Sequence, residues 1–281
     1  MKNTKRSASV IGAVYIVIIM LFLYLPILAL TVLSFNESKS MSVFTGFSLR
    51  WYREMFQNKL IINSVINTFA IALTASLGST AIGTAACLGM SGMKKKSQDT
   101  IMAFNSIPML NADIVTGISL MLTFIMFKFP LGYVSVLLAH ITFCIPYVVL
   151  SVRPRLNKGT ATLYEAAQDL GASKWYAFSR IVMPELMPGM ISGFLLSFTM
   201  SVDDFIVTYF TRGAGINTIS TLIYSQVKVG IRPTLFALST VIFAVALVVL
   251  LVSNLEKPEE DGRETVRKHR RGKMGRKELQ P

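Results

Sequence analysis

Residues 165–171 read Glu-Ala-Ala-Gln-Asp-Leu-Gly, and they lie in the polar segment 153–180 between two long apolar runs. Thr162 precedes Glu165 by three residues, which is the spacing of a helix capping box. Gly171 is suited to end this helix, because glycine readily adopts the left-handed conformation that many helix ends require. The segment therefore predicts a short helix that begins near Thr162 and ends at Gly171.

A second short helix is predicted in the same segment. Ser173 is placed to cap a helix over residues 174–182, which Pro184 then interrupts. The first helix carries small side chains, so another protein can approach its backbone closely. These residues are Ala166, Ala167 and Gly171. The alternative is an ordinary connector in which Glu165 only caps its own helix.

The composition places most of the chain in a membrane. Of its 281 residues 52% are hydrophobic, and the mean hydropathy is +0.54, which is too apolar for a water-soluble domain. The net charge of +13 does not indicate nucleic-acid binding, because the basic residues lie chiefly at the ends of apolar runs. Cys87 and Cys144 lie within apolar runs and lack the spacing of a disulfide framework or a metal site.

Six apolar runs predict an all-α membrane protein with six transmembrane helices. They cover about residues 10–33, 60–90, 100–127, 133–152, 188–210 and 233–253. The lysine triplet at 94–96 and the long loop favour the cytoplasmic side, which puts both termini inside. We expect a cytoplasmic tail at 1–9, a membrane domain at 10–254 with its long inner loop at 153–187, and a basic, disordered tail at 255–281.

The second apolar run carries small and weakly polar residues at alternating spacings of four and three. Such spacing places side chains on one face of a helix, so this face is predicted to pack closely against another helix. Its members are Asn63, Asn67, Ala70, Thr74, Gly78, Ala81 and Ala85.

Three acids lie inside the predicted spans, and no Lys or Arg lies in the apolar body of a span to neutralise them. A carboxylate in a bilayer costs at least about 2.5 kcal/mol, so Asp113, Asp203 and Asp204 each need a partner or an aqueous path. Asp203 and Asp204 point about 100° apart on a regular helix. Asp204 belongs to a stripe of polar residues on one face of the predicted helix, and such a stripe could line a path for cations. Its members are Ser197, Ser201, Asp204 and Thr208.

Two alternatives concern these acids and their surroundings. The acids could instead pair with a Lys or Arg of a partner subunit, or with Arg212 in the adjoining loop. His140 in the fourth span is interpreted as a hydrogen-bonded packing residue, with a proton relay as the alternative. Trp51 and Tyr52 could contact a cation at the outer entrance, although aromatic residues there more commonly anchor the chain at the membrane interface.

The spacing of the long loop resembles the EAA loop of ABC-importer permeases. The residues are Glu165, Ala166 and Ala167, then Gly171 six positions after the glutamate, Ile181 ten further on and Pro184 three beyond that. The one departure is Met183, where the family usually has leucine, and this change conserves volume. Residues 201–205, Ser-Val-Asp-Asp-Phe, further resemble the PotC-type permeases of spermidine/putrescine importers, and the similarity extends over nearly the whole membrane region.

The resemblance implies a type I (MetI-like) importer fold and a bacterial inner-membrane location. It implies that Glu165, Ala166, Ala167, Gly171, Ile181 and Pro184 couple the chain to a cytoplasmic ATPase dimer. The other implied partners are a second, homologous permease, an external substrate-binding protein and a polyamine substrate. From the acids, the stripe and the aromatic residues described above, we expect the substrate path to include Asp113, Asp203, Asp204, Ser201 and Trp51. The chain lacks a phosphate-binding G-x-x-x-x-G-K-[ST] sequence, so no cofactor is expected in it, and ATP and Mg would be bound by the partner ATPase.

Three other functions fit parts of the pattern. The chain could import another organic cation or a small solute by the same machinery. It could be a secondary transporter driven by protons or sodium, with Asp113 and His140 as the relay. It could also be a membrane scaffold that transports nothing.

Overall fold

The computed structural model describes residues 2–39, 43–156 and 158–255, and these residues are almost entirely helical. Outside the helices, the one isolated β-bridge in the described part joins Asn36 to Phe47. Most of the predicted basic tail lies beyond residue 255 and therefore outside the described residues. The prediction of an all-α chain is confirmed for the part that is described.

The described residues form twelve α-helices. They are α1 (Lys2–Ser34), α2 (Arg50–Gln57), α3 (Lys59–Ser91), α4 (Lys95–Leu110), α5 (Asp113–Met126), α6 (Tyr133–Val152), α7 (Lys158–Asp169), α8 (Lys174–Ala177), α9 (Met183–Asp203), α10 (Ile206–Thr211), α11 (Ile219–Val229) and α12 (Pro233–Leu255). A 3₁₀ turn, Arg153–Arg155, follows α6, and a π-helical segment, Phe178–Val182, joins α8 to α9.

One compact unit consists of the described parts of residues 1–55 and 232–281. Within it α1 packs against α12. The segment after α1 is organised by Asn36, whose amide nitrogen donates to the Val43 carbonyl at 2.8 Å. The Asn36 side-chain oxygen accepts from the Thr45 amide at 3.0 Å, so this short turn is closed by its own hydrogen bonds.

The second compact unit, residues 56–231, is built on α3, α6 and α9, which all pack against one another. Val148 on α6 lies between two glycines. A Cβ atom added to Gly83 of α3 would lie 2.8 Å from Val148 Cγ1, and one added to Gly193 of α9 would lie 3.1 Å from Val148 Cα. Because such distances leave no room for a side chain, these glycines allow the three helices to approach closely.

The third predicted span is broken in the structure. The sequence predicts one span over 100–127 interrupted by Pro108, whereas Pro108 lies inside α4 and the chain bends by 106° between α4 and α5. The bend occurs at Asn111 and Ala112, whose ψ angles of 150° and 136° are those of extended backbone. Proline weakens α4 near its end, and two extended residues then redirect the chain.

The structure does not confirm all six spans that the sequence predicts. Four single helical segments of the described chain are long and apolar enough to cross a membrane, and the bent pair of α4 and α5 would make a fifth. The predicted sixth span falls on α12, whose fully described apolar part, Pro233–Val248, is shorter. Six spans and the sidedness of the termini therefore stay predictions.

The most buried face of α3 differs from the predicted one, although Gly78 of the predicted face lies against α6, where an added Cβ atom would be 3.1 Å from Ile141 Cδ1. Asn63, Thr74, Ala81 and Ala85 are exposed, whereas the residues that are buried include Ser64, Thr68, Ala75 and Ser79. Serine and threonine are tolerated on this packed face because their hydroxyls return to their own helix. Ser64 donates to the Leu60 carbonyl at 2.7 Å and Thr68 donates to the Ser64 carbonyl at 2.8 Å.

Candidate functional site

The helix of the long loop ends as predicted but begins earlier. α7 starts at Lys158, so Thr162 lies inside the helix and the predicted capping box at Thr162 is wrong. The end is a Schellman motif at Gly171, whose φ of +87° is left-handed. The Gly171 amide donates to the Gln168 carbonyl at 2.8 Å, and the Ala172 amide donates to the Ala167 carbonyl at 3.0 Å.

The second part of the loop leads into α9 without the predicted interruption. Ser173 caps α8 as expected, since its hydroxyl oxygen accepts from the Tyr176 amide at 3.3 Å. The helix then widens into the π-helical segment, in which the Met183 amide donates to the Phe178 carbonyl five residues earlier. Pro184 lies in the first turn of α9, where a missing amide is tolerated, so it does not break the helix.

The predicted coupling positions lie on or near an exposed part of this loop. Glu165, Ala166, Gly171 and Pro184 are exposed, and Ala167 and Ile181 are half-buried. Large apolar side chains surround them on the same segment, with exposed fractions of 59% for Leu163, 90% for Leu170, 75% for Trp175 and 58% for Tyr176. A group of exposed, large apolar side chains on one loop commonly marks a surface that binds another protein or a membrane.

The other side of the loop is anchored to the helical bundle. A buried cluster joins the ends of α3 and α6 to the π-helical segment and α9; its members are Cys87, Met90, Val148, Val149, Val152, Val182 and Leu186. Tyr164 of α7 and Phe178 of the π-helical segment pack against this cluster. A displacement of the loop would therefore act directly on the helices that form the bundle.

The side chain of Asp204 is buried and has partners within the chain. It follows the last residue of α9 in extended conformation, and its side chain is 6% exposed. One carboxylate oxygen accepts from the Val207 amide at 3.2 Å, and the other accepts from the Thr208 amide and hydroxyl, each at 2.8 Å. His140 Nε2 lies 3.4 Å from the second oxygen.

Ser201 and Thr208 of the predicted stripe are also buried, and both contact His140. The Ser201 hydroxyl lies 2.6 Å from His140 Nδ1, and the Thr208 hydroxyl lies 2.9 Å from His140 Nε2. Ser197, one turn before Ser201, is buried as well, and its hydroxyl donates to the Cys144 carbonyl at 3.4 Å. The stripe therefore faces α6 within this chain.

Asp203 and Asp113 are exposed, unlike Asp204. Asp203 is the last residue of α9, and Asp113 is the first residue of α5, directly after the bend. α5 packs against α10 at Gly117, one turn after Asp113, where an added Cβ atom would lie 3.3 Å from the Ile206 carbonyl oxygen. The contact between α5 and α10 thus brings the segments that carry Asp113 and Asp203 to the same region of the chain.

An aromatic cluster that the sequence reasoning missed begins at Phe205, two residues after Asp203. The Phe205 and Tyr224 ring centroids are 4.7 Å apart, and Tyr209 lies 5.4 Å from Phe205 and 5.5 Å from Tyr224. The Lys228 ammonium lies 4.6 Å from the Tyr224 centroid, and its hydrogen bond with Tyr224 raises the pKa of Lys228. The four-residue spacing of Phe205 and Tyr209 is a local signal of this cluster, whereas the contact with Tyr224 depends on the fold.

Trp51 is almost fully buried in the first unit, at 2% exposed. Its indole nitrogen donates to the Asn36 carbonyl at 2.6 Å, and the Arg50 guanidinium carbon lies 5.1 Å from the centroid of the ring. Tyr52 shares a hydrogen bond of 2.7 Å with the Ser34 hydroxyl. Both aromatic residues predicted at the outer entrance therefore hold the segment that follows α1.

The chain resembles several characterised proteins along most of its length. The family described as "Binding-protein-dependent transport system inner membrane component" matches residues 5–257. The spermidine/putrescine transport system permease protein PotC of Haemophilus influenzae is 34% identical over 241 residues, which cover 86% of this chain and 94% of that protein. The putrescine transport system permease protein PotI of Escherichia coli is 36% identical over 228 residues, which cover 79% and 81%.

A solved structure shares the fold. It is a crystal structure of a bacterial ABC transporter involved in the import of the acidic polysaccharide alginate, one chain of which matches with a TM-score of 0.65 and 17% identity. The match covers 90% of this chain and 96% of that one, and it shows a MetI-like ABC permease fold. The predicted resemblance to permeases is thereby confirmed, and the chain belongs to the family of inner-membrane components of binding-protein-dependent transport systems.

Proposed function

We propose that this chain is a permease subunit that passes polyamines into a bacterial cell through the inner membrane. The observation that carries the proposal is the combination of two exposed acids, Asp113 and Asp203, with the aromatic cluster of Phe205, Tyr209 and Tyr224. Carboxylates and aromatic faces are the groups that attract organic ammonium ions. The relatives named as spermidine/putrescine and putrescine permeases support the same cargo.

The position of Lys228 supports this assignment on chemical grounds. Its side chain ends in a primary ammonium group, as a polyamine does, and this group already lies against the Tyr224 ring. The rings of the cluster meet at interplanar angles of 38°, 46° and 76°, so they present differently oriented faces. Such a surface suits a flexible polycation better than a neutral or an acidic solute.

Transport is proposed to be driven by a separate cytoplasmic ATPase dimer that binds ATP and Mg. The exposed side chains of Leu163, Leu170, Trp175 and Tyr176 would dock into a groove of one ATPase subunit, with Glu165 and Gly171 at the contact. Tyr164 and Phe178 would transmit the closure of the dimer to the bundle through the buried cluster. Alternating access would follow from the resulting movement of α3, α6 and α9.

The remaining partners follow from the same proposal. A second, homologous permease would complete the pathway as a hetero-dimer, and an external substrate-binding protein would deliver the cargo. We place both termini and the loop 153–187 in the cytoplasm. The exposed apolar surfaces of the long helices would face lipid or the second permease.

Uptake of radiolabelled putrescine and spermidine by the assembled complex tests the cargo. We expect Asp113→Asn and Asp203→Asn each to lower uptake by about tenfold, which corresponds to about 1.4 kcal/mol of lost attraction. Thr199→Ala is the matched control, because Thr199 is exposed on α9 and its hydroxyl donates only to the Leu195 carbonyl, at 2.9 Å. Unchanged uptake in the double variant Asp113→Asn with Asp203→Asn would refute the role of these two acids in the path.

Two further measurements test the mode of transport. Gradient-driven uptake by proteoliposomes without any ATPase would refute the ATP-driven assignment and favour a secondary transporter. Leu170→Glu is expected to abolish co-purification of the ATPase, because it places a charge in the proposed contact, whereas Ser179→Ala should leave it unchanged. Retained co-purification and transport in Leu170→Glu would contradict the proposed docking surface.

A further inference from the structure

The protons of the network around His140 can be assigned from the geometry. Thr208 has a single hydroxyl proton, which it donates to the Asp204 carboxyl oxygen at 2.8 Å. At its contact of 2.9 Å with His140 Nε2 the same hydroxyl must therefore accept, so Nε2 carries a proton. In the neutral ring Nδ1 is then the acceptor of the Ser201 hydroxyl at 2.6 Å.

Asp204 uses both of its carboxylate oxygens inside the chain. It accepts from two backbone amides of α10 and one hydroxyl, which is the pattern of a helix cap placed where α9 has ended. His140 acts on the carboxylate chiefly through Thr208: its Nε2 proton is donated to the Thr208 hydroxyl, which in turn donates to Asp204, and Nε2 itself lies 3.4 Å from the same carboxylate oxygen. With its side chain 6% exposed, Asp204 has little surface left for a ligand.

The break that Asp204 maintains sets the position of Asp203. In a continuous helix the residue after Asp203 would have helical backbone angles. Here Asp204 has a ψ of 129°, which is extended, and a new helix, α10, begins at Ile206. Asp203 is left as the exposed last residue of α9, and Phe205 begins the aromatic cluster. The exposed acid thus ends α9 directly before the break at which Asp204 lies.

We infer that His140 is a positioning residue, which with Ser201 and Thr208 holds Asp204 as the internal cap of α10, so that Asp203 and not Asp204 is presented to the cargo. This inference deepens the proposed function and rests on it for the identity of the cargo alone. It divides two adjacent aspartates between two roles, one structural and one facing the path.

The Asp→Asn exchange distinguishes the two roles. At Asp203 it removes a charge from an exposed side chain. At Asp204 it also replaces an oxygen acceptor by an amide donor, and one of the groups that face it is a backbone amide that cannot turn round. A buried donor is then left without its acceptor, so Asp204→Asn should disturb the break itself.

The first test measures the break without reference to any cargo. In the complex that carries Asp203→Cys, the new thiol is labelled with a cationic methanethiosulfonate reagent; the natural Cys87 and Cys144 are buried, and the unsubstituted chain gives the background. We expect His140→Leu to change the labelling rate by about 5- to 100-fold, the range for one lost buried hydrogen-bond partner. His140→Gln, which keeps an amide donor and a carbonyl acceptor, should restore the rate to within about threefold.

The second test is a double-mutant cycle on the uptake rate. His140→Leu and Asp204→Asn should each lower uptake by about tenfold or more, and the double variant should be no worse than either, because both act on one unit. Thr142→Val on α6 is the matched control, since Thr142 is exposed and donates to the Leu138 carbonyl of its own helix. Effects that multiply in the double variant would overturn the inference.

Two other outcomes would overturn it. One is His140→Gln behaving like His140→Leu in both assays; the other is Asp204→Asn leaving the labelling at position 203 unchanged. If His140→Leu does not assemble, His140→Gln and Asp204→Asn carry the test, with wild-type labelling expected for the first and altered labelling for the second. If the cargo assignment is wrong, the unsubstituted complex will take up no polyamine, while the labelling results will be unaffected. The failure of the proposed function is therefore distinguishable from the failure of this inference.

Discussion

Replacing Gly171 by alanine tests the end of α7 through backbone strain alone. Gly171 has a φ of +87°, and an added Cβ atom would meet nothing within 4 Å, so no steric clash contributes. A non-glycine residue in the left-handed region costs about 1–2 kcal/mol, which lowers the population of the closed helix end about 5- to 30-fold. The helix has 12 residues and is short enough for its end to matter.

Hydrogen exchange measured by mass spectrometry detects this change directly. The amides of Leu170, Gly171 and Ala172 donate to the last carbonyls of α7. Their protection factors should therefore fall by about 5- to 30-fold, in proportion to the lost population of the closed helix end. In Gly171→Asn the protection of these amides should fall less, because asparagine tolerates the left-handed conformation. Gly89→Ala on α3 is the control, since it also has nothing within 4 Å and should lose no protection. Full protection in Gly171→Ala would refute the reasoning.

Three further predictions concern stability, each measured as thermal unfolding of the purified complex in detergent. Lys128→Gly should stabilise the chain by about 0.5–1 kcal/mol, because Lys128 has a φ of 55°, and a lowered midpoint would contradict this. Gly193→Val should destabilise it by about 1–3 kcal/mol, because its side chain would meet Val148, and an unchanged midpoint would argue against the close helix contact. Asn58→Ala should cost about 1 kcal/mol, because Asn58 accepts from the Leu60 amide at 3.0 Å as the cap of α3; Asn58→Ser should recover most of this loss.

Local features of the long loop were predictable from the sequence. The end of α7 at Gly171 and the cap at Ser173 depend on a few neighbouring residues, and both are confirmed. The start of α7 was not predicted, since the helix extends beyond Thr162 to Lys158. A good capping pattern does not prevent a helix from continuing when the preceding residues are compatible with it.

The surroundings of the acids depend on contacts between distant parts of the chain. The alternation of Ser197, Ser201 and Thr208 correctly indicated one polar face, but periodicity cannot say whether such a face meets water or another helix. His140 is 64 positions before Asp204, and only the packing of α6 against α9 and α10 brings the two together. The roles assigned to Asp113, Asp203 and the coupling residues stay predictions until the variants are measured.

The bend between α4 and α5 has a consequence for the production of the protein in cells. With 16 and 14 residues, neither helix is long enough alone to cross a bilayer, so if α4 and α5 together form one span, the extended backbone at Asn111 and Ala112 would fall within the hydrocarbon layer. These residues are exposed in the single chain, although the Asn111 amide donates to the Ile107 carbonyl and the Ala112 carbonyl accepts from the Val115 amide. Polar backbone groups at that depth that the helices do not pair must be covered by protein or water. We therefore expect the subunit made without its partner to be an orphan that membrane proteases degrade, and co-expression of the second permease to lengthen its lifetime in a pulse-chase experiment.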